Sequence, residues 1–111
     1  MTDCFFDTVS AAAFRDDKMA KVNLHESPRL FCDVYCVKPG QEQRVHTHDA
    51  NDKIYHALTG TCRVTIGDET RALPPGHVAV APAGVPHGLV NESDENATLF
   101  VLMAPHPSFK A

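Results

Sequence analysis

The sequence predicts an all-β domain, a sandwich or small barrel, with a short N-terminal helical segment. From Met19 onward, short runs with alternating apolar residues are separated by Pro, Gly and Asp at close, regular spacing. Helical periodicity is almost absent after that point, and 111 residues with an apolar share of 43% suit one folded domain. Many short strands with little helix are typical of sandwiches and barrels.

The first residues hold the one helical candidate, in which Ser10 caps a run from Ala11 to Arg15. The run is too short to be stable alone, so we expect it to pack on the outside of the domain or on a partner subunit. Eight or nine strands are then expected over residues 18–24, 29–37, 42–48, 53–58, 62–66, 70–73, 78–81, 85–90 and 97–103. The tail, residues 105–111, is expected to fray or to pack on a neighbour.

Charge and motifs exclude several classes of function. The net charge is −4 without a Lys/Arg cluster, which argues against nucleic-acid and anionic membrane surfaces and favours a small molecule or an ion. The sequence has no nucleophile elbow and no glycine-rich phosphate loop, so hydrolysis and nucleotide binding are poor candidates. A secretory signal and a membrane-spanning segment are not evident, and a cytoplasmic location is expected.

The four cysteines are interpreted as reduced, small, buried apolar residues. None forms a Cys-x-x-Cys pair, and Cys32 and Cys36 on one strand would lie roughly 13 Å apart, too far for a disulfide. Neither a disulfide framework nor a nucleophilic thiolate is therefore predicted.

Two stretches carry most of the functional signal. In residues 40–60, His46 and His48 are two positions apart, so on an extended strand both imidazoles project from one face. In residues 76–91, a turn containing Pro82, Gly84 and Pro86 precedes His87 and aims it towards that pair.

These stretches resemble the paired motifs of the cupin superfamily, the small double-stranded β-helix or jelly-roll barrels, and the chain is similar to small single-domain bacterial cupins of the Cupin_2 type. The matched positions are Gly40, His46, His48 and Gly60 in the first motif and Gly76, Pro82, Gly84, His87 and Asn91 in the second. The resemblance implies one domain over residues 1–111, with the barrel at roughly 19–104, an N-terminal segment at 1–18 and a tail at 105–111.

The resemblance also implies a metal site. Three neutral imidazoles from His46, His48 and His87 would hold a divalent transition metal (Fe, Mn, Ni, Co, Cu or Zn) and leave positions open for water or substrate. An empty polar pocket is the alternative. Asn91 is expected to bond backbone groups at the end of its strand rather than to touch a ligand.

One position departs from the family pattern, because Lys53 stands where the first motif carries a glutamate. A protonated lysine about 4 Å from a dication would be repelled by roughly 8 kcal/mol at an effective dielectric of 20. Either Lys53 bends away and leaves a three-histidine site, or it prevents metal binding, or a one-residue slip turns Asp52 inward as a fourth ligand together with Ile54 and His56. The family's spacing from Gly60 places Lys53, Tyr55 and Ala57 inward and His56 outward and so favours the first, with Lys53 contributing a cation or hydrogen bond to an anionic substrate.

Several further residues are assigned from the same pattern. Tyr55 and Lys53 are the candidate catalytic residues for proton handling, although packing is the simpler interpretation of Tyr55. Arg44 shares a face with His46, so a pocket cation is one interpretation, but a salt bridge at the barrel rim is favoured. Three histidines match no motif and are taken as surface or interface residues: His25, His77 and His106. Three apolar residues near the end of the chain are taken as core: Leu99, Val101 and Met103.

Two functions follow as hypotheses. The first is a metal-dependent enzyme, of dioxygenase or isomerase type, acting on a small organic acid or on a phenolic or polyketide-like compound in the barrel. The second is a non-enzymatic binding or sensory module, with or without metal. In both, exposed edge strands and the N-terminal segment favour a homodimer.

Overall fold

The computed structural model describes residues 4–108, and within them the chain forms one helical turn and nine strands. The helical turn, α1, spans Thr8–Ala11. The strands are β1 (Ala20–Ser27), β2 (Leu30–Val37), β3 (Glu42–His46), β4 (Asp52–Thr59), β5 (Cys62–Ile66), β6 (Glu69–Leu73), β7 (Val78–Ala81), β8 (His87–Val90) and β9 (Ala97–Ala104). Each coincides with a predicted run to within a few residues.

The strands form two antiparallel sheets that face each other. The five-stranded sheet has the order β1-β2-β9-β4-β7, and the four-stranded sheet has the order β3-β8-β5-β6. The core between them contains the inward residues of both, among them Leu99, Val101 and Met103, each at most 2% exposed. The prediction of an all-β sandwich or small barrel and the assignment of these core residues are confirmed.

The N-terminal segment covers the outer face of the five-stranded sheet. Ala12 and Phe14 pack against the buried residues Ala20, Val34 and Cys36. With this cover, the last five residues of β2 are buried on both faces. The segment therefore packs on the outside of its own domain, one of the two expected arrangements.

The predicted start of the helix is wrong. Asp7, not Ser10, caps α1, because its Oδ1 accepts hydrogen bonds from the amides of Val9 (2.9 Å) and Ser10 (3.4 Å). A carboxylate accepting both amides satisfies the first helical N–H groups one turn earlier than the predicted cap. The chain is already extended at Ala12, which lets Ala12 and Phe14 reach the sheet.

The expectation for the tail is also corrected over the described residues 105–108, while 109–111 lie outside them. His106 is 8% exposed, packs its ring against Phe31 at 5.6 Å and pairs through Nε2 with Glu26 at 2.9 Å. Nδ2 of Asn51 donates to the carbonyl of Pro105. His106 is thus part of the barrel's own packing and not a surface residue, whereas His25 and His77 are exposed as predicted.

The cysteine interpretation is confirmed at Cys36 and Cys62, which are buried free thiols. It is wrong for Cys4, which is exposed, and only partly right for Cys32, which is half-buried. Across residues 4–108 the structure has no helix with the length and apolarity needed to cross a membrane.

Candidate metal centre and adjoining cavity

The three motif histidines converge at one end of the barrel. His46 is the last residue of β3, His87 is the first of β8, and their Cα atoms are register partners across the two strands. His48 follows two residues beyond His46, and the ring centroids are 4.9 Å (His46–His48), 4.5 Å (His46–His87) and 5.5 Å (His48–His87) apart. One ring nitrogen from each lies within 4.8 Å of the others, which is compatible with three ligands to one ion.

The turn before β8 ties the two motifs together. Gly84 has a φ of +82°, a conformation that glycine adopts without a Cβ clash, and its amide donates to the carbonyl of His48 at 2.8 Å. The amide of Val85 closes the turn on the carbonyl of Pro82. The backbone of His48 and the strand that carries His87 are therefore held as one unit.

Backbone contacts set the tautomers of two rings. Nδ1 of His46 lies 2.7 Å from the carbonyl of Arg44, and Nδ1 of His87 lies 2.9 Å from the carbonyl of Val85. A carbonyl only accepts, so Nδ1 carries the proton in both rings and Nε2 of the neutral ring keeps its lone pair for a ligand. Burial lowers the pKa of both His48 and His87, which favours neutral imidazole.

Nε2 of His87 gives the strongest local support for a metal ligand at this site. It is the buried side-chain nitrogen or oxygen that has no hydrogen-bond partner within the part of the chain that the structure describes. An unpaired buried polar atom costs about 1–3 kcal/mol, so native proteins usually supply it with a partner. Its position among two other imidazoles fits a metal ion as that partner.

Lys53 projects into the barrel, as the spacing from Gly60 favours. Along β4 the burial alternates so that Lys53, Tyr55 and Ala57 point inward. Asp52 is exposed, and its Oδ1 accepts from the amide of Ala83 at 2.9 Å. The slip that would make Asp52 a fourth ligand does not occur, because this bond and the register of β4 hold it on the outside.

The ammonium position of Lys53 is enclosed by aromatic rings and one amide. The side chain is 1% exposed, and Nζ lies 5.2 Å from the ring centre of Tyr35 and 5.0 Å from that of Tyr55. Nζ donates to Oε1 of Gln43 at 3.1 Å. Burial, with a smaller contribution from Lys21, lowers the pKa of Lys53 from 10.5 to about 7, so the neutral amine is available near neutral pH.

Gln43 joins these groups, and sequence reasoning missed it. Its Oε1 also accepts from the hydroxyl of Tyr55 at 2.8 Å, and its Nε2 donates to the hydroxyl of Tyr35 at 3.3 Å. The register of β3 against β8 shifts between Gln43 and His46, which marks a bulge. The bulge turns both residues inward although they are three apart, an arrangement that the period of two does not predict.

The same bulge corrects the placement of Arg44. Its side chain is 93% exposed and lies 3.9 Å from Glu42, so it does not share the inward face with His46. The expected rim salt bridge is present in this weak, exposed form. Tyr55 is fully buried, and burial raises the pKa of its hydroxyl, so that this group donates to Gln43 and does not act as a base.

A cavity of about 140 Å³ adjoins the histidines. Lys21, Tyr35, Gln43 and Lys53 line it with polar groups, and Phe31, Met103 and Pro107 supply apolar walls, in a lining drawn from five strands and the tail. A larger, open groove of about 580 Å³ lies outside, between residues 13–22 and the start of β3. Lys21 and Gln43 border both spaces, so the groove and the inner cavity lie next to each other.

Asn91 bonds backbone groups, as predicted. It is fully buried, and its Nδ2 donates to the carbonyls of Val37 (2.9 Å) and Glu95 (2.8 Å). Its Oδ1 accepts from the amide of Ser93. The residue therefore fixes the end of β8 and does not reach the cavity.

Comparison with known proteins gives a consistent result. Residues 33–103 match the family model Cupin_2, described as the cupin domain. The protein TT1209 of Thermus thermophilus has a similar structure, with a TM-score of 0.89, 44% identity and coverage of 91% of this chain and 96% of that one. A protein of Klebsiella pneumoniae with a double-stranded β-helix domain has a TM-score of 0.86 at 21% identity, covering 93% and 90% of the two chains. An uncharacterized Streptomyces coelicolor protein, SCO3923, is 31% identical over 72 residues, which are 65% of this chain and 68% of that protein.

Proposed function

Because the chain belongs to the Cupin_2 family of cupin domains, we propose that it binds one divalent transition metal through His46, His48 and His87 and acts on a small organic molecule in the adjoining cavity. The observation that carries this proposal is the buried Nε2 of His87, which has no partner among residues 4–108 and faces the other two imidazoles. A metal bound there would supply a Lewis acid or a redox centre.

The chain's own residues support proton-transfer chemistry beside such a metal. Nζ of Lys53 has a pKa of about 7, so it gives or takes a proton at neutral pH at little cost. Gln43 fixes the position of Nζ, and Tyr55 fixes Gln43 through its hydroxyl. We therefore assign Lys53 as the candidate acid-base residue and Tyr55 as a positioning residue, in an isomerase-type or oxygenase-type reaction.

A non-enzymatic binding module is the second candidate. It is favoured by the replacement of the motif carboxylate by Lys53 and by the engagement of both tyrosine hydroxyls with Gln43. Oxygen consumption and product analysis with candidate substrates separate the two functions, because a binding module retains the ligand unchanged.

The metal content of the purified protein tests the proposed site directly. We expect the purified wild type to hold about one equivalent of a transition metal, by elemental analysis, and His87→Ala to lose it. His77→Ala, which removes an exposed imidazole outside the cluster, is the matched control and should keep the metal. Lys53→Glu should bind the metal more tightly, because it restores a carboxylate at an inward position. Equal metal content in wild type and His87→Ala would refute the site.

We also propose a cytoplasmic homodimer. Strand β7 lies at the edge of its sheet, and Val78 and Val80 on it are 53% and 50% exposed, which supports pairing with a second copy. Light scattering at micromolar concentration tests this, and a monomer would contradict it.

A further inference from the structure

The distribution of charge in the inner cavity indicates the kind of ligand that it holds. Lys21 and Lys53 both line it, and within the described residues no aspartate or glutamate does. Asp33 is the carboxylate that acts on Lys53, but its Oδ1 is hydrogen-bonded to Asn23 and it does not line the space. Among the described residues, the cavity lining therefore contains two amines and no carboxylate.

Both amines lie near the ring of Tyr35. Lys21 and Tyr35 are register partners on β1 and β2, and Nζ of Lys21 lies 5.5 Å from the ring centre. Nζ of Lys53, from β4, lies 5.2 Å from the same ring centre. The ring holds both amines by cation–π contact but does not neutralise them, since it carries no net charge. Lys21 contributes to lowering the pKa of Lys53, which indicates that the two groups repel each other when both are protonated.

The volume of the inner cavity suits a small ligand. About 140 Å³ corresponds to about four or five water molecules at about 30 Å³ each. A short-chain acid fits this volume, whereas larger phenolic compounds require the several hundred Å³ of a typical drug-sized pocket. Phe31 and Met103 provide apolar contacts for a short carbon chain.

We propose that the cavity binds a short-chain carboxylic acid whose carboxylate lies between Nζ of Lys21 and Nζ of Lys53, with the rest of the molecule directed towards the three histidines. This proposal rests on the proposed function for the site but names the substrate class. Lys21, a residue outside both sequence motifs, becomes a specificity-determining residue. Since Lys21 also borders the outer groove, it is placed to receive an anion that enters from solvent.

Binding measurements with charged and neutral small molecules test whether the cavity binds a carboxylate. Pyruvate is titrated into metal-free and zinc-loaded protein near neutral pH by calorimetry, beside its neutral analogue pyruvamide and inorganic phosphate. We expect pyruvate to bind at least tenfold more tightly than pyruvamide, because each charge-assisted hydrogen bond contributes about tenfold or more. Phosphate, which lacks the carbon chain, should bind more weakly than pyruvate.

Three lysine variants show whether the amines are responsible. Lys21→Met and Lys53→Met retain the aliphatic stems, and each should weaken pyruvate binding at least tenfold while leaving pyruvamide unchanged. Lys18→Met makes the same chemical change at an exposed residue that borders only the outer groove, and should bind pyruvate as the wild type does. Because Lys21 is exposed, the Lys21→Met variant should fold as the wild type does and tests the site independently of any change in the buried Lys53.

The outcomes separate this proposal from the metal site. If zinc binds stoichiometrically but pyruvate and pyruvamide bind equally, or pyruvate does not bind, the carboxylate site is refuted and the metal site stands. If zinc does not bind but pyruvate binds in a manner that depends on both lysines, the metal site is refuted and the carboxylate site stands. Pyruvate affinities that are equal in the wild type, Lys21→Met and Lys53→Met would also overturn the proposal.

Discussion

Replacing the buried amine of Lys53 should make the metal-free protein more stable near neutral pH. In the native state the pKa of Lys53 is lowered from 10.5 to about 7. This shift means that burying the protonated amine lowers the free energy of unfolding by about 5 kcal/mol. Lys53→Met removes that cost and keeps the stem. It also removes the bond from Nζ to Gln43, a loss of about 1 kcal/mol, but Oε1 of Gln43 keeps its bond from Tyr55. We expect a net gain of about 3 kcal/mol at about pH 7.

The pH dependence identifies the cause. Between about pH 7 and 10.5 the unfolded chain binds a proton at Lys53 that the native protein does not, so the wild type gains stability as the pH rises through this window. From about pH 7 to about pH 8.5 the gain is about 1.5 kcal/mol, and the variant lacks it. Below the window the native amine is also protonated and the difference between the two proteins becomes constant.

Urea unfolding of metal-free wild type and Lys53→Met at several pH values measures this difference. Two buried thiols, Cys36 and Cys62, have pKa values raised from 9.0 and also contribute to the pH dependence. Their contribution is the same in both proteins and cancels in the difference. Lys18→Met, at an exposed position, should follow the wild type throughout. If the difference in unfolding free energy between wild type and Lys53→Met does not change over this range, Lys53 does not titrate near pH 7 and its assignment as an acid-base residue fails.

One glycine, Gly88, and one asparagine, Asn91, give further predictions. A Cβ added at Gly88 would lie 2.7 Å from the carbonyl oxygen of Gln43 and 2.9 Å from the amide nitrogen of Val45, both backbone atoms of the β3 bulge. Gly88→Ala should therefore cost about 3 kcal/mol in urea unfolding and weaken zinc binding in calorimetry, since β3 carries His46; unchanged zinc affinity would contradict the link. Asn91→Ala should cost about 2–4 kcal/mol, because it leaves the carbonyls of Val37 and Glu95 without their partner. It should leave zinc affinity unchanged, and a large loss of affinity would show that the residue also positions the ligands.

The sequence was sufficient for the features that depend on local periodicity. The family's spacing from Gly60 placed Lys53 and Tyr55 inside and Asp52 outside, and burial along β4 alternates in that phase, since a register error there would expose the whole buried face. The histidine cluster followed from two motifs with fixed spacing, and its geometry agrees. The first residues of α1 were misassigned because Asp7 and Ser10 are both good capping residues and only the chain's path to the sheet selects between them.

The features that were missed depend on contacts between distant residues. The bulge that turns Gln43 inward is accommodated by the absence of a side chain at Gly88 on the neighbouring strand, a relation that no single strand displays. Lys21 reaches the cavity only because β1 pairs with β2 in the register that sets it beside Tyr35. His106 looked like a surface residue because nothing in the tail reveals that it packs on Phe31 and pairs with Glu26.

The lysine at the position of the motif carboxylate also determines how the metal and the ligand should affect each other. Three neutral imidazoles leave the charge of a dication uncompensated, and Lys53 adds no negative charge. A carboxylic acid bound in the cavity would supply it. We therefore expect pyruvate to raise the affinity for zinc, and zinc to raise the affinity for pyruvate by the same factor, since linkage between two binding sites is reciprocal.

The size of this coupling should fall when the protein supplies its own carboxylate. In Lys53→Glu the dication is already partly neutralised and the incoming acid meets a negative charge, so pyruvate should no longer raise the affinity for zinc and should lower it at high concentration. Zinc titrations of wild type and Lys53→Glu, each with and without saturating pyruvate, measure both couplings. Equal coupling in the two proteins would mean that the ligand's charge does not act on the metal, and that Lys53 replaces the motif carboxylate without changing the electrostatics of the site.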